Sequence, residues 1–364
     1  YLSLRLQMGL KLQEIFSKLL IKKALIGLNL LFVFIKSENS FGQYTIADTL
    51  RLYNEGLIAF QSNNFVKANE KFTQAIGLHP VYAKALYNRG IVKIEQNDFQ
   101  GALSDFNALI IIQPNFPNAH YNRGMANQML NNLEQAEYDF KTEISRNPKS
   151  FEAHYRLGMI YFAKNEFEKA LAYFEQSGNI NGEFSAVYCD KASALMMLNR
   201  HKEAIAELEM AIGFNKNNPL FHNNLGLAHK AIGNLAEAEN NWLKSLILKS
   251  DYYYAHLNLG ILHYESGKYD NAKLHFENAL KSNSKSWIPL INLASIHLKE
   301  GDNSNAIKIL NQAITINPNH AEIYYNRGIA YERIQDYQNA CKDWKKAREL
   351  GMKNLEKIIQ TDCN

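Results

Sequence analysis

Eleven histidines are the side chains of this 364-residue sequence best suited to metal or acid–base chemistry, and seven of them recur at fixed spacing. His120, His154, His222 and His256 share one place in a 34-residue period, and His229, His263 and His297 share another, seven residues later. Equivalent residues on adjacent packed helices lie about 8–10 Å apart, too far to share one metal ion directly. His222 with His229, and His256 with His263, fall two turns apart on one helix and are also too distant alone. A shared metal ion is therefore not expected, and any such ring that is buried would make the chain acid-sensitive. The sequence has no His-Glu-x-x-His, phosphate-cradling glycine loop, nucleophile elbow or Cys-x-x-Cys. It predicts no enzyme, no catalytic residue, no metal site and no cofactor.

Two other columns in the same period offer recognition chemistry. One holds Asn54, Asn88, Asn122, Asn224, Asn258, Asn292 and Asn326, interrupted by Arg156 and Asp190. The residue before it is Tyr53, Tyr87, Tyr121, Tyr155 and Tyr325, with Cys189, Asn223, Leu257 and Ile291 between. An asparagine amide has one acceptor and two donors, so it can pair with both backbone groups of an extended peptide. Tyrosines add flat, amphipathic contact area. The competing reading is that each amide bonds to the neighbouring repeat.

The elements that position these columns follow from the period. Alanine recurs at 68, 102, 136, 170, 204, 238, 272, 306 and 340, a signature of stacked repeats. Twelve residues before it stands glycine or alanine: Gly56, Gly90, Gly124, Gly158, Ala192, Gly226, Gly260, Ala294 and Gly328. Four residues after it stands a large apolar plug, from Phe72 and Phe106 to Trp242 and Trp344. Alanine and plug share one helical face. The small residues belong to a preceding helix that must approach closely. Between the two helices, Asn63, Asn97, Asn131, Asn165, Asn199, Gly233, Gly267, Gly301 and Gln335 mark a left-handed turn. Pro80, Pro114, Pro148 and Pro318 mark the joins, with proline expected in the first turn of the next helix and Asn147 and Asn317 as its caps. Gly178 and Gly182 point to a loose join after the fourth repeat.

The small-residue column, the alanine, the plug and the proline resemble the tetratricopeptide repeat family. Tyr87-Asn88-Arg89-Gly90 and Tyr325-Asn326-Arg327-Gly328 look like its common first-helix form. The resemblance implies an all-α, right-handed superhelical solenoid of nine helix-turn-helix repeats over 49–351, with a capping helix and tail over 352–364. It also implies that the histidine places are packing places, and that the first helices line a concave, protein-binding face. There the asparagine column resembles the ladder of O-linked N-acetylglucosamine transferases, whose catalytic domain has no counterpart here. The lysines that family members use to grip acidic chaperone tails are missing, with only Arg156 and Asn122 matching. The expected partner is an extended peptide segment of a protein. The alternatives are a spacer or self-assembling subunit using the convex face or array ends, and a regulatory subunit of a separate enzyme.

Comparing repeats predicts ion pairs between the two helices of one hairpin: Glu55 with Lys71, Arg89 with Asp105, Arg123 with Asp139, Lys191 with Glu207, and Arg327 with Asp343. Where the first place is Leu157, Leu225, Leu259 or Leu293, the second carries no formal charge.

Residues 1–42 stand outside the period. Lys22-Lys23, an apolar run over 24–35 and the small Ser40 and Gly42 predict a secretory signal peptide cut before Gln43, followed by a short lead-in over 43–48. The true start is expected at Met8 or further in. The competing reading is an uncleaved membrane anchor. Export to the periplasm or outside is therefore expected, with any membrane contact made only through the leader. This leader holds six of the 40 Lys/Arg and two of the 36 Asp/Glu, which leaves 34 of each. A neutral remainder argues against nucleic acid or an anionic membrane as partner. Of three cysteines, Cys341 and Cys363 are brought near each other by an antiparallel cap, either as a disulfide or as two free thiols.

Overall fold

Small side chains at 34-residue intervals leave one solution for burying the plugs, which is to pair helices and stack the pairs. The computed structural model describes residues 46–356, 358–359 and 363; the predicted leader lies outside them. Repeat one is α1 (Ile46–Gln61) with α2 (Phe65–Leu78), repeat two α3 (Ala83–Glu95) with α4 (Phe99–Ile112), and repeat three α5 (Ala119–Met129) with α6 (Leu133–Arg146). These form a first compact unit, which ends at Pro148. The second unit starts with repeat four, α7 (Phe151–Ala163) and α8 (Phe167–Ile180), then repeat five, α9 (Ser185–Met197) and α10 (His201–Phe214). Repeat six is α11 (Pro219–Ala231) and α12 (Leu235–Leu248), and repeat seven is α13 (Tyr253–Glu265) and α14 (Tyr269–Ser282). Repeat eight is α15 (Ile288–Glu300) and α16 (Asn303–Ile316), and repeat nine is α17 (Ala321–Arg333) and α18 (Tyr337–Glu349). Within each unit every helix packs on the next. First helices of successive repeats also touch, α3 with α5 in one unit and α7 with α9, α9 with α11, α13 with α15 and α15 with α17 in the other.

All nine period alanines are fully buried, as are the plugs Phe72, Phe106, Phe140, Trp242 and Phe276. Each plug contributes roughly 1.5–3 kcal/mol by burial. A Cβ added to Gly226 would sit 2.5 Å from Trp242, and one added to Gly158 2.4 Å from Phe174. Where the small residue is alanine, at 192 and 294, the plug is a leucine, Leu208 or Leu310, and the shorter side chain leaves room for the methyl. All nine turn residues have positive φ, from 56° at Asn63 to 82° at Gly233. Gln335 holds φ 64° there without the freedom of glycine.

Two local expectations are corrected. Asn147 and Asn317 do not cap the following helices; they end α6 and α16, donating to Glu143 O and Ala313 O, and Pro148 and Pro318 stand in the turn beyond. The α7 cap is Ser150, whose hydroxyl accepts from Ala153 N. The join after repeat four is tied by a Tyr188 hydroxyl donating to Gly182 O at 2.8 Å, and the division between units falls one repeat earlier. At the carboxyl end Leu355 and Ile359 are buried against Tyr324, Trp344 and Ala347, and Glu356, Ile358 and Ile359 are helical. There Cys341 and Cys363 form a disulfide, with Cα atoms 5.4 Å apart, which closes the alternative of two free thiols.

Candidate functional site

Each first helix carries the asparagine and tyrosine columns side by side, and stacking offsets them so that one column of a repeat meets the other of the repeat before. In the first unit Asn88 donates to the Tyr53 hydroxyl at 2.8 Å and Asn122 to the Tyr87 hydroxyl at 3.0 Å. The second unit repeats the pairing with other residues. Asn224 donates to Cys189 Sγ at 3.5 Å, Asn258 to Asn223 Oδ1 at 3.0 Å, and Tyr155 to Asp190 Oδ2 at 2.5 Å. Asn292 instead donates to Ile288 O of its own helix. Asn54 is exposed at the first repeat, and Asn326 is half-buried. The asparagines thus tie repeat to repeat while keeping part of their capacity: Oδ1 of Asn88 and Asn258 has no partner among the described residues and is reached by solvent.

The tyrosines are half-buried and packed. Tyr53 lies 5.7 Å from Phe72 and 5.1 Å from Tyr82, Tyr87 4.9 Å from Phe116, Tyr121 5.7 Å from Phe140, and Tyr155 4.9 Å from Phe184, centroid to centroid. Tyr325 packs on the Trp344 cluster. Burial raises the pKa of Tyr53, Tyr87 and Tyr155, so each hydroxyl stays protonated. The Cys189 thiol is pushed up to about 12, chiefly by burial, and meets Asn224 as a neutral group.

Behind this face, all five charge pairs are in contact: Lys71 with Glu55 at 2.9 Å, Arg89 with Asp105 at 2.6 Å, Arg123 with Asp139 at 2.5 Å, Lys191 with Glu207 at 2.7 Å, and Arg327 with Asp343 at 2.6 Å. The three arginines among them reach further than their own hairpin. Arg89 donates to Thr73, Arg123 to Asn107 and Arg327 to Asn311, each on the second helix of the preceding repeat. Arg327 also lies 5.6 Å from the Tyr324 ring.

The residue before the plug is the hub of these contacts, because three first-helix places converge on it. Asp139 takes Arg123, Asn127 at 3.0 Å and His120 at 3.5 Å. In repeat four, which has no charge there, Tyr173 stacks on Tyr161 at 5.3 Å and lies 6.2 Å from the His154 ring. Repeat seven places a histidine at the hub and at two of the three first-helix places, with Leu259 at the third. His275 Nδ1 is 3.1 Å from His256 Nδ1, and its ring stacks on His263 at 5.3 Å. Sequence spacing along one helix missed this trio, because its third member comes from α14. The signal was His275 standing where four other repeats carry an acid, Asp105, Asp139, Glu207 and Asp343. Burial, then the two neighbouring rings, pulls His275 down to about 4; burial also lowers His256 and His263. Facing the trio are Glu239, 3.9 Å from His263, with Asp251, Lys268 and Lys281. Among the described residues no group of three or more His, Cys, Asp or Glu is placed to hold a metal ion, and no helix is long and apolar enough to cross a membrane.

Family descriptions match most of the array. "TPR repeat" matches 192–233 and 294–335, and "Tetratricopeptide repeat" matches 151–183, 253–286 and 321–354 in one form and 53–120 in another. No curated protein sequence matches the chain. Among solved structures, the Cut9–Hcn1 hetero-tetramer of the APC/C is similar over 86% of this chain and 76% of that one, at 16% identity and a TM-score of 0.54. A tetratricopeptide repeat protein from Parabacteroides merdae matches over 78% of this chain and 99% of its own, at 17% identity and a TM-score of 0.46. MamA matches over 44% of this chain and 95% of its own, at 22% identity and a TM-score of 0.42.

Proposed function

We propose that this chain, which belongs to the tetratricopeptide repeat family, is a non-catalytic scaffold that holds an extended segment of a partner protein along the first-helix face of its repeats. Such repeats generally mediate protein–protein interaction, and a preformed surface lowers the ordering cost of holding a flexible segment. The observation that carries the reading is the half-used asparagine column. Tyr53 and Asn223 hold the amides of Asn88 and Asn258 in place, and each amide retains a free, solvent-reached carbonyl for a peptide N–H. The leader pattern adds the second part of the proposal, action after export in a bacterial envelope assembly.

The test is binding of a capped peptide library to the protein lacking 1–42. We expect peptides selected on the parent chain to lose about tenfold or more in affinity when Asn88, Asn122 and Asn258 become alanine. Unchanged affinity in a folded triple variant removes the reading. A second reading, self-assembly through the outer helices, draws on Ile247, 82% exposed, and Leu243, 43% exposed, one turn apart on α12. Sedimentation at rising concentration separates the two: a monomer at every concentration rules the second out.

A further inference from the structure

Repeat five departs from its neighbours at two places on the first-helix face, and both departures line one cavity. The asparagine column holds Asp190 there. Three residues on, seven of the other eight repeats carry Leu, Ile or Met, and repeat five carries Ser193. Together with Met159 and Phe162 of α7 and Phe174 of α8, these two residues enclose about 150 Å³. Apolar atoms make most of the wall, and the polar groups are a carboxylate and a hydroxyl.

The hydrogen-bond inventory of that wall is one-sided. Ser193 Oγ spends its proton on Cys189 O at 3.0 Å and keeps lone pairs to accept with. Asp190 Oδ2 accepts from Tyr155 at 2.5 Å, while Oδ1 has no hydrogen-bond partner among the described residues. No Lys, Arg or His nitrogen lies within 4 Å of that carboxylate among the described residues. Burial raises the Asp190 pKa against the opposing pull of the Tyr155 bond, as expected of a carboxylate without a counter-charge. A half-buried acid in an apolar cavity is costly unless a cation completes it.

We propose that this cavity is an anchoring site for a primary ammonium on an aliphatic stem, the side chain of a lysine in the bound segment. Met159, Phe162 and Phe174 would wall the methylenes, and the ammonium would donate to Asp190 Oδ1 and Ser193 Oγ. Lysine fits better than arginine because Tyr155 already occupies Oδ2, and a guanidinium fork needs both carboxylate oxygens. Arg156, one repeat earlier in the same column, is the competing cation. It acts on Tyr155 through space and does not bridge to Asp190.

The inference rests on the groove reading for its peptide, so the experiment separates the two. The chain lacking 1–42 is titrated by calorimetry with n-butylammonium, and with Ac-Gly-Gly-Lys-Gly-Gly-amide against the same peptide carrying norleucine or arginine. The expected result is butylammonium binding, and a preference for lysine over norleucine of about tenfold, with arginine between. Asp190→Asn installs the residue that seven of the nine repeats carry at this place and should keep the fold while abolishing both. Ser193→Leu should close the cavity with the same effect, and Arg156→Gln should leave the preference intact or strengthen it. Equal binding of lysine and norleucine peptides, or a preference that survives Asp190→Asn, overturns the proposal. Butylammonium binding lost with Asp190→Asn upholds the anchor even if the peptide library fails. Library binding indifferent to Asp190→Asn overturns the anchor and leaves the groove standing.

Discussion

Replacing Asp139 by alanine removes the hub of repeat three and leaves its partners behind. Asp139 is fully buried, while the Arg123 side chain is 14% exposed and meets it at 2.5–3.1 Å through Nε and Nη2. Taking away one partner of a buried pair costs about 3–5 kcal/mol, because the other charge is stranded. Arg123 keeps Asn107 on its third nitrogen and some water, which argues for the lower end. Asn127 loses its acceptor as well, adding about 1 kcal/mol. The expected loss is about 4 kcal/mol. Repeat four supplies the control, since it fills the equivalent places with Leu157, Tyr161 and Tyr173 and stacks the two rings at 5.3 Å. Transplanting that set as Arg123→Leu, Asn127→Tyr and Asp139→Tyr removes the charge with its partner, and the expected loss falls to about 1 kcal/mol. Stacked repeats can open locally, so the assay is amide hydrogen exchange over α5 and α6 alongside urea unfolding. A single variant within 0.5 kcal/mol of the parent, or a triple variant as unstable as the single, refutes the hub.

Four further outcomes follow from the same geometry. Gly226→Ala drives a methyl to 2.5 Å from Trp242 and should cost about 1–3 kcal/mol, and the penalty should shrink in a Trp242→Leu background, as the Ala192–Leu208 pairing implies; equal penalties in both backgrounds would contradict the packing argument. His275, at about 4 in the fold and about 6.5 unfolded, binds its proton more readily when unfolded. Stability should therefore fall as pH drops from about 6.5 to 4, by about 1–3 kcal/mol, and His275→Tyr should flatten this slope in urea titrations at stepped pH. Reducing the Cys341–Cys363 bond, which spans 22 residues, should cost about 3 kcal/mol and loosen Leu355 and Ile359 from Trp344, read as faster exchange at the carboxyl end. Asn88→Ala should cost about 0.5–1.5 kcal/mol through the lost bond to Tyr53, read by urea unfolding.

What the sequence displayed was whatever each repeat must satisfy by itself. The alanine column, the plug and the left-handed turn are local steric demands imposed nine times, and repetition made them legible. The ion pairs were legible because Leu157 and Tyr173 lose their charges together. Contacts made one repeat away were harder to see. Asn88 and Tyr53 are 35 residues apart, in different columns, so their chemistry was readable while their mutual bond was not. The same holds for Arg123 reaching Asn107. The histidine trio and the Asp190 cavity each need residues from two helices or more, and a single departure such as Ser193 carries no sign of the neighbour it faces. Proline misled because Asn147 can cap either way, and its backbone N–H closes the helix behind it.

Site-specific photocrosslinking in intact cells tests the central claim most directly. A benzoylphenylalanine placed at Asn54, exposed on the first-helix face, is compared with one placed at Ile247, exposed on the second helix of repeat six. The account predicts a discrete protein adduct from Asn54 that a groove-binding peptide abolishes, and none from Ile247. Adducts from Ile247 alone, or a homodimer from both, would contradict it.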